Sequence, residues 1–295
     1  VVLELQALGH EIGAFEALIT SDVPHSAGTS SSAALEMACV SGLCKLFDIE
    51  LNFYEKARIG QLCEHNTIGA KTGLMDQLTS LSGKEDHLVL SEYRDITVEH
   101  SPLPEGYVFV VADSGVAHDL SCEYNDRRQQ CENALADLQK FDSSLKALRD
   151  VSLEFLEAHR SDLKDVDYRR ALHVVGENTR VLLAKELLAA NKLEEFAQLL
   201  FDSHESSKNN FENSCPELDI LIDIARESEH CLGARLSGGG FGGVSVHLVH
   251  QSNAKTYGEF VAAKYQEKTG SPCRILICNS AAGASVKSLI AENCL

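Results

Sequence analysis

No apolar run in the chain reaches the roughly 18 residues needed to cross a bilayer, and no basic-then-apolar segment of the secretory kind opens it. A cytoplasmic protein is expected. Positive charge is scarce, with 26 Lys plus Arg against 44 Asp plus Glu, a formal net charge of −18. Such a field repels nucleic acid and anionic membrane surfaces, so neither is expected as a partner. It also opposes an anionic nucleotide, so a phosphate site needs local donors and a divalent cation. The ten cysteines include no CxxC pair and are scattered through predicted helices and strands, at Cys39, Cys44, Cys63, Cys131 and Cys278 among others. They read as free thiols, not as a zinc site or a disulfide scaffold. The twelve histidines are equally dispersed. Internal repeats and Pro-rich or Gly/Ser-rich linkers are absent, so the expected boundary between two lobes, near residue 120, is soft.

What is present is an ordinary globular composition, 44% hydrophobic and 24% charged over 295 residues, enough for two lobes with separate cores. The opening Val1 to Gly9 carries no initiator Met and reads as the last turns of an amphipathic helix, which predicts that a longer chain has been cut. Phe15 to Ile19 reads as a strand. Helices are predicted over residues 33–47, with Leu35, Ala38, Cys39, Leu43 and Leu46 on one face, and over 53–65 and 74–81. Strands follow at 87–90, 96–99 and 107–113, the last a continuous apolar run of the buried kind. Long helices are expected over 123–141, 153–159, 167–190, 193–210 and 216–226. The final section predicts strands at 233–237, 244–248 and 273–278 and a helix over 254–269. The pattern is α+β, with helices laid on an antiparallel sheet in split β-α-β fashion.

The run from Pro24 to Glu36 joins a small-residue loop rich in hydroxyls to the start of an apolar helix. Gly28 can take backbone angles closed to other residues, the serines add donors, and the unpaired N–H groups of a first helical turn face outward. That combination holds a phosphate; taken alone, it also suits a Ser-rich N-cap. A second cluster, Gly233 to Gly243, has five glycines in its last six residues, a density that marks close backbone approach to a ligand or to another segment. Between them lie Cys63-Glu64-His65-Asn66 and Gly73-Leu74-Met75-Asp76-Gln77. Glu64 falls near a helix end and Asp76 in a first helical turn, where each has a plain structural reading. Beside a phosphate loop they also supply the parts for phosphoryl transfer: one carboxylate for Mg²⁺ and one facing the attacking hydroxyl.

These runs, together with Ser121 to Cys131, His173-Val174-Val175-Gly176-Glu177 and Ser214-Cys215-Pro216-Glu217-Leu218-Asp219, resemble the motifs of the galactokinases, in that family's order and spacing. The resemblance spans essentially the whole chain and implies a two-lobed GHMP small-molecule kinase fold: a truncated N-terminal lobe over residues 1–120, and a C-terminal split β-α-β-like lobe with added helices over 121–295. It implies ATP-dependent phosphorylation of galactose at its anomeric hydroxyl, with Mg²⁺, in a monomer or weak dimer. Residue by residue, it assigns Ser26, Ala27, Gly28, Thr29, Ser30, Ser31, Ser32 and Ala33 to the ATP phosphates and Ser32 with Glu64 to Mg²⁺. Asp76 would face the sugar's C1 hydroxyl as catalytic base or orienter. Gly73, Tyr124, Gly239 and Gly240 would contact the sugar, with Gly238 beside them.

The match has departures. Ser26 stands where the family commonly has glycine, Thr29 where it has leucine, and Ser237 where it has threonine. The family's opening Gly-Arg-Val-Asn-Leu-Ile-Gly-Glu-His-Thr-Asp type of motif would lie before Val1. Its loss implies a half-built sugar site, an unpaired sheet edge and exposed core. Two alternatives stand beside the kinase: a non-catalytic relative that senses sugar and nucleotide, or is an inactive fragment, and a sister kinase acting on arabinose or N-acetylgalactosamine.

Overall fold

The computed structural model describes residues 1–23, 29–69, 72–117 and 121–288. The chain divides into two units: Val1–Leu103 with Asn279–Leu295, and Pro104–Cys278. The expected division near residue 120 therefore falls inside the second unit. The physical reason is the apolar run Tyr107–Asp113, which pairs with strands far downstream and so draws Pro104–Cys278 into one unit with them.

The first unit begins with α1 (Val2–Ala7), ending as the sequence predicts just before Gly9. Next come α2 (Ser31–Leu46), α3 (Phe53–Cys63) and α4 (Met75–Ser82). Asn52 caps α3 through a capping box with Glu55. The core of this unit is Leu5, Met37, Val40, Leu43, Cys44, Ile59 and Cys63. The buried stripe of α2 thus runs through Ala33, Met37, Val40 and Cys44; Leu35 and Leu46, expected inside, are exposed. An antiparallel hairpin of β1 (His87–Glu92) and β2 (Thr97–Pro102) follows. Residues 15–19 are not a strand. Their composition suits one, but no ladder partner exists for them among the described residues, and Leu18 is 93% exposed. Phe15 instead packs edge-on against Phe47.

The returning segment joins this unit by backbone contact. Gly283 N–H donates to the Gly83 carbonyl at 2.7 Å and Ala284 N–H to that of Ser80 at 2.8 Å. A Cβ on Gly283 would stand 2.1 Å from the Leu81 carbonyl oxygen, so only glycine fits there.

The second unit is built on a four-stranded antiparallel sheet in the order β4 (Cys231–Leu236), β5 (Val244–His250), β3 (Tyr107–Asp113), β6 (Arg274–Cys278). Val108, Val110 and Ala112 alternate inward on β3, as period-two patterning requires. They meet α9 (Pro216–Arg226) and α10 (Ala254–Thr269) through Leu218, Leu221, Ile222, Tyr257, Val261 and Tyr265. Pro216 opens α9 at a position where a missing N–H costs nothing. A helical layer of α5 (Ser121–Leu138), α6 (Leu153–Ala158) and α7 (Asp165–Ala189) has its own core around Ala134, Leu138, Leu156 and Ala171. The helix α8 (Leu193–Ser206) lies against the edge strand β4, where the Leu236 N–H donates to His204 Nδ1. Covering an edge in this way removes a site for unwanted strand pairing.

Two predicted helices end differently from expectation. The helix read over 53–65 gives way at Glu64–Ile68 to a π-helical turn, and the one read over 193–210 does so at Ser207–Phe211. Each turn closes on a left-handed residue, Gly69 at φ 83° and Glu212 at φ 55°. Such turns are rare and concentrate at functional sites. Among the described residues, no helix is long and apolar enough to cross a membrane.

Candidate active site

In the first unit the site is built on the N-termini of α2 and α4. Ser30 precedes α2 in the left-handed conformation (φ 56°, ψ 39°) and does not cap the helix with its side chain. Its hydroxyl turns instead to Asp76, donating to Oδ2 at 2.7 Å. The first turn of α2 contains no acidic residue. Its amide donors and positive dipole end therefore meet no carboxylate of their own turn, the condition under which a helix start receives a phosphate. Asp76 sits in the first turn of α4, where the dipole favours its negative charge.

The loop before α4 is fixed by Thr72. Its carbonyl accepts from Gln61 Nε2 at 2.9 Å and lies 2.9 Å from His65 Nε2, while its hydroxyl donates to Glu64 Oε2. Glu64 is buried at the start of the π-helical turn. Behind these groups Gln77 Nε2 donates to Glu36 Oε2 at 3.1 Å. Burial pushes the Glu36 carboxyl up; the Gln77 bond offsets part of that, and the nearby charges of Glu64 and Asp76 push it further up. The first helical turns are thus backed by a third carboxyl, that of Glu36 at the end of the hydroxyl-rich run, to which the motifs assign no role. A Cβ on Gly60 would stand 2.5 Å from Met37 Cε, 2.9 Å from Gln77 Cγ and 3.0 Å from Glu36 Oε2, so glycine is what lets α3 close on this group. At Gly73 the opposite holds, since a Cβ there would meet nothing within 4 Å.

In the second unit the glycine loop bridges β4 and β5. Gly238, Gly240, Phe241, Gly242 and Gly243 all have positive φ. The density of glycine follows from neighbouring backbone: a Cβ on Gly240 would lie 2.0 Å from the Asn213 carbonyl oxygen, and one on Gly242 would lie 2.6 Å from that of Val116. Asn213 accepts from Phe241 N–H at 2.6 Å and donates from Nδ2 to the Gly239 carbonyl at 3.0 Å. At the other end Gly243 N–H donates to Val116, and its carbonyl accepts from both N–H and hydroxyl of Ser114. A Cβ on Gly238 would meet nothing within 4 Å.

Residues 1–84 match the GHMP kinases N terminal domain and residues 184–267 the GHMP kinases C terminal region. A galactokinase of Roseiflexus sp. (strain RS-1) is 39% identical over 284 residues, covering 96% of this chain and 73% of the relative. The galactokinase of Glaesserella parasuis serovar 5 (strain SH0165) is 41% identical over 273 residues, covering 91% and 70%. The solved structure of Lactococcus lactis galactokinase complexed with galactose matches with a TM-score of 0.90 at 30% identity, over 96% of this chain and 74% of that one. The chain belongs to the galactokinase family of GHMP kinases.

Of the residues that the galactokinase resemblance assigns, Ser30 and Asp76 are in direct contact. Ser31, Ser32 and Ala33 form the first turn of α2, with Ser32 exposed and Thr29 just before it. Ser26, Ala27 and Gly28, and the side chain of Tyr124, lie outside the described residues. Among the described residues, no three His, Cys, Asp or Glu side chains gather as a metal site. The galactokinase motif at His173 to Glu177 is absorbed by packing. His173 bonds Ser206 Oγ at 3.0 Å and lies 4.6 Å from the Phe211 ring, and Glu177 accepts from Ser203 at 2.7 Å beside Arg180 and Arg235. The motifs assign no role to Thr72, Glu36 or Asn213, although Glu36 closes the run from Pro24, Thr72 directly precedes Gly73 and Asn213 directly precedes Ser214.

Proposed function

We propose that this chain transfers the γ-phosphoryl group of ATP to the C1 hydroxyl of galactose, giving galactose 1-phosphate. The observation that carries the reading is the Ser30–Asp76 hydrogen bond, which ties the end of the hydroxyl-rich loop to the carboxylate in the first turn of α4. Phosphoryl transfer asks a protein mainly to position groups and offset charge. The amide donors and hydroxyls of Ser31 and Ser32 serve the phosphates. With Oδ2 engaged by Ser30, Oδ1 of Asp76 takes the sugar hydroxyl and holds its proton as the C1 oxygen attacks phosphorus.

A hydroxyl and a carboxylate are oxygen donors of the kind Mg²⁺ takes, since it commonly binds one or two protein oxygens and completes its shell with phosphates and water. Ser32 and the buried Glu64 would hold it. When bound, it offsets negative charge on the phosphates of the nucleotide. Tyr124 and Gly73 are read as sugar contacts, and Gly239 and Gly240 as loop residues that approach the sugar and phosphate closely.

The test incubates the chain with Mg·ATP and galactose, arabinose or N-acetylgalactosamine, following sugar phosphate and ADP. Galactose-dependent ADP release that Asp76→Asn lowers by about 10²–10⁴-fold is expected. Binding of sugar and nucleotide with no turnover would overturn the kinase reading in favour of a sensor.

A further inference from the structure

The glycine loop does not hold its own shape. Both of its bonds at the Gly239–Phe241 end go to Asn213, which follows a non-glycine residue in the left-handed region, Glu212. A left-handed glutamate persists only where its surroundings impose it. Three cations impose it here. The buried Arg170 donates to Glu212 Oε2 at 2.6 Å, and Arg169 donates to Oε1. Arg127 reaches the backbone itself, donating from Nε to the Phe211 carbonyl at 2.7 Å and from a terminal nitrogen to that of Glu212 at 2.8 Å. The same guanidinium lies 5.5 Å from the centre of the Phe241 ring.

Arg127 is thus the one side chain of this group that touches both the turn and the loop. It also stands three residues after Tyr124 on α5. We propose that Arg127 is a positioning residue of the active site. Its planar fork fixes the backbone at Phe211 and Glu212, its face fixes Phe241, and Asn213 passes both constraints to Gly239 and Gly240. A lysine keeps the charge but has neither fork nor face, so it cannot replace it. The catalytic consequence rests on the reading that the glycine loop approaches sugar and phosphate; the structural constraint does not.

Amide hydrogen exchange of the ligand-free chain tests the constraint. Arg127→Lys should speed exchange at Phe241 at least tenfold, while Gly243, held by Val116 at the other end, keeps its rate. Phe241→Leu, which leaves the carbonyl bonds in place, should speed exchange at its own amide by a smaller factor. An unchanged Phe241 amide in folded Arg127→Lys overturns the proposal. Should that variant not fold, an unchanged amide in Phe241→Leu overturns it equally. In the same preparations, galactose and Mg·ATP titrations separate the two ideas. If the unmodified chain binds neither, the ligand reading of the loop fails while the exchange result stands. If it binds, Arg127→Lys should raise the galactose KM more than it lowers kcat, and equal parameters would remove Arg127 from the site.

Discussion

Ser30 and Asp76, 46 residues apart in sequence, are joined by a 2.7 Å hydrogen bond between hydroxyl and carboxylate. The bond makes the end of the proposed phosphate loop and the proposed base a single unit, so that a shift in either moves the other.

Asp76→Asn should lower kcat by about 10²–10⁴-fold, the range for a positioned proton acceptor. Ser30→Ala should cost less, up to roughly tenfold, since it removes one hydrogen bond worth about 0.5–1.5 kcal/mol. Steady-state kinetics of the two variants and their double mutant should show a combined loss smaller than the product of the single losses. Independent, multiplicative losses would mean the bond has no part in catalysis.

Gly240→Ala should damage the second unit's loop even though alanine is small. Its φ of 81° is one that L side chains rarely adopt, and the new Cβ would lie 2.0 Å from the Asn213 carbonyl oxygen. A loss of roughly 1–3 kcal/mol is expected from the backbone conformation alone. Urea unfolding measures it, with Gly238→Ala, which has space but shares the positive φ, as the milder comparison.

Glu36 gives a pH dependence of unusual sign for a carboxylate. Burial raises its pKa above the ordinary 4.5, so its contribution to stability is full below 4.5 and is lost as pH rises through the raised native value. Glu36→Gln keeps the shape and removes the charge. It also offers a donor to Gln77 Oε1, which is buried without a hydrogen-bond partner among the described residues. The variant should melt above the parent at pH 8, with the gap closing towards pH 4.5. A lower melting temperature at pH 8 would contradict this account.

The second unit should be acid-labile in two stages. Burial pushes His173 down to about 4 and His247 down to about 3, so the stability they contribute is full above the ordinary 6.5 and is lost as pH falls through that range. The slope for each is at most about 1.4 kcal/mol per pH unit. Burial would raise Asp219, but bonds from His204, Ser214 and Lys208 outweigh it and hold the carboxyl at about 2. Its contribution is full above 3.8 and lost as pH falls towards 2. Urea midpoints between pH 7.5 and 4 should therefore fall, and His173→Gln should flatten the profile.

Much of the fold was legible because local chemistry decided it. The limits of β3, α9 and α10 follow from an apolar run, a proline at the first helical turn and a glycine at the last. The π-helical turns were not, since their extra residue leaves the apolar spacing of α3 and α8 intact up to the break. Residues 15–19 show the reverse error: strand propensity was read, but a strand also needs a partner. In the site, Asp76 and the Ser-rich loop were visible as motifs. Asn213 and Thr72 were not, because each acts in part through a backbone carbonyl that any residue carries, and their side-chain bonds go to residues far away or outside the motif.

The paired glycines Gly83 and Gly283 have a consequence for biosynthesis. The residues between Pro104 and Cys278 form a continuous insert, whereas the first unit is closed by a segment that follows it. During synthesis the insert can complete its sheet as soon as β6 emerges. The earlier-made helices must wait, their last backbone partners still unbuilt, until the stretch beyond Cys278 has left the ribosome. The helices made before the insert are therefore completed after it.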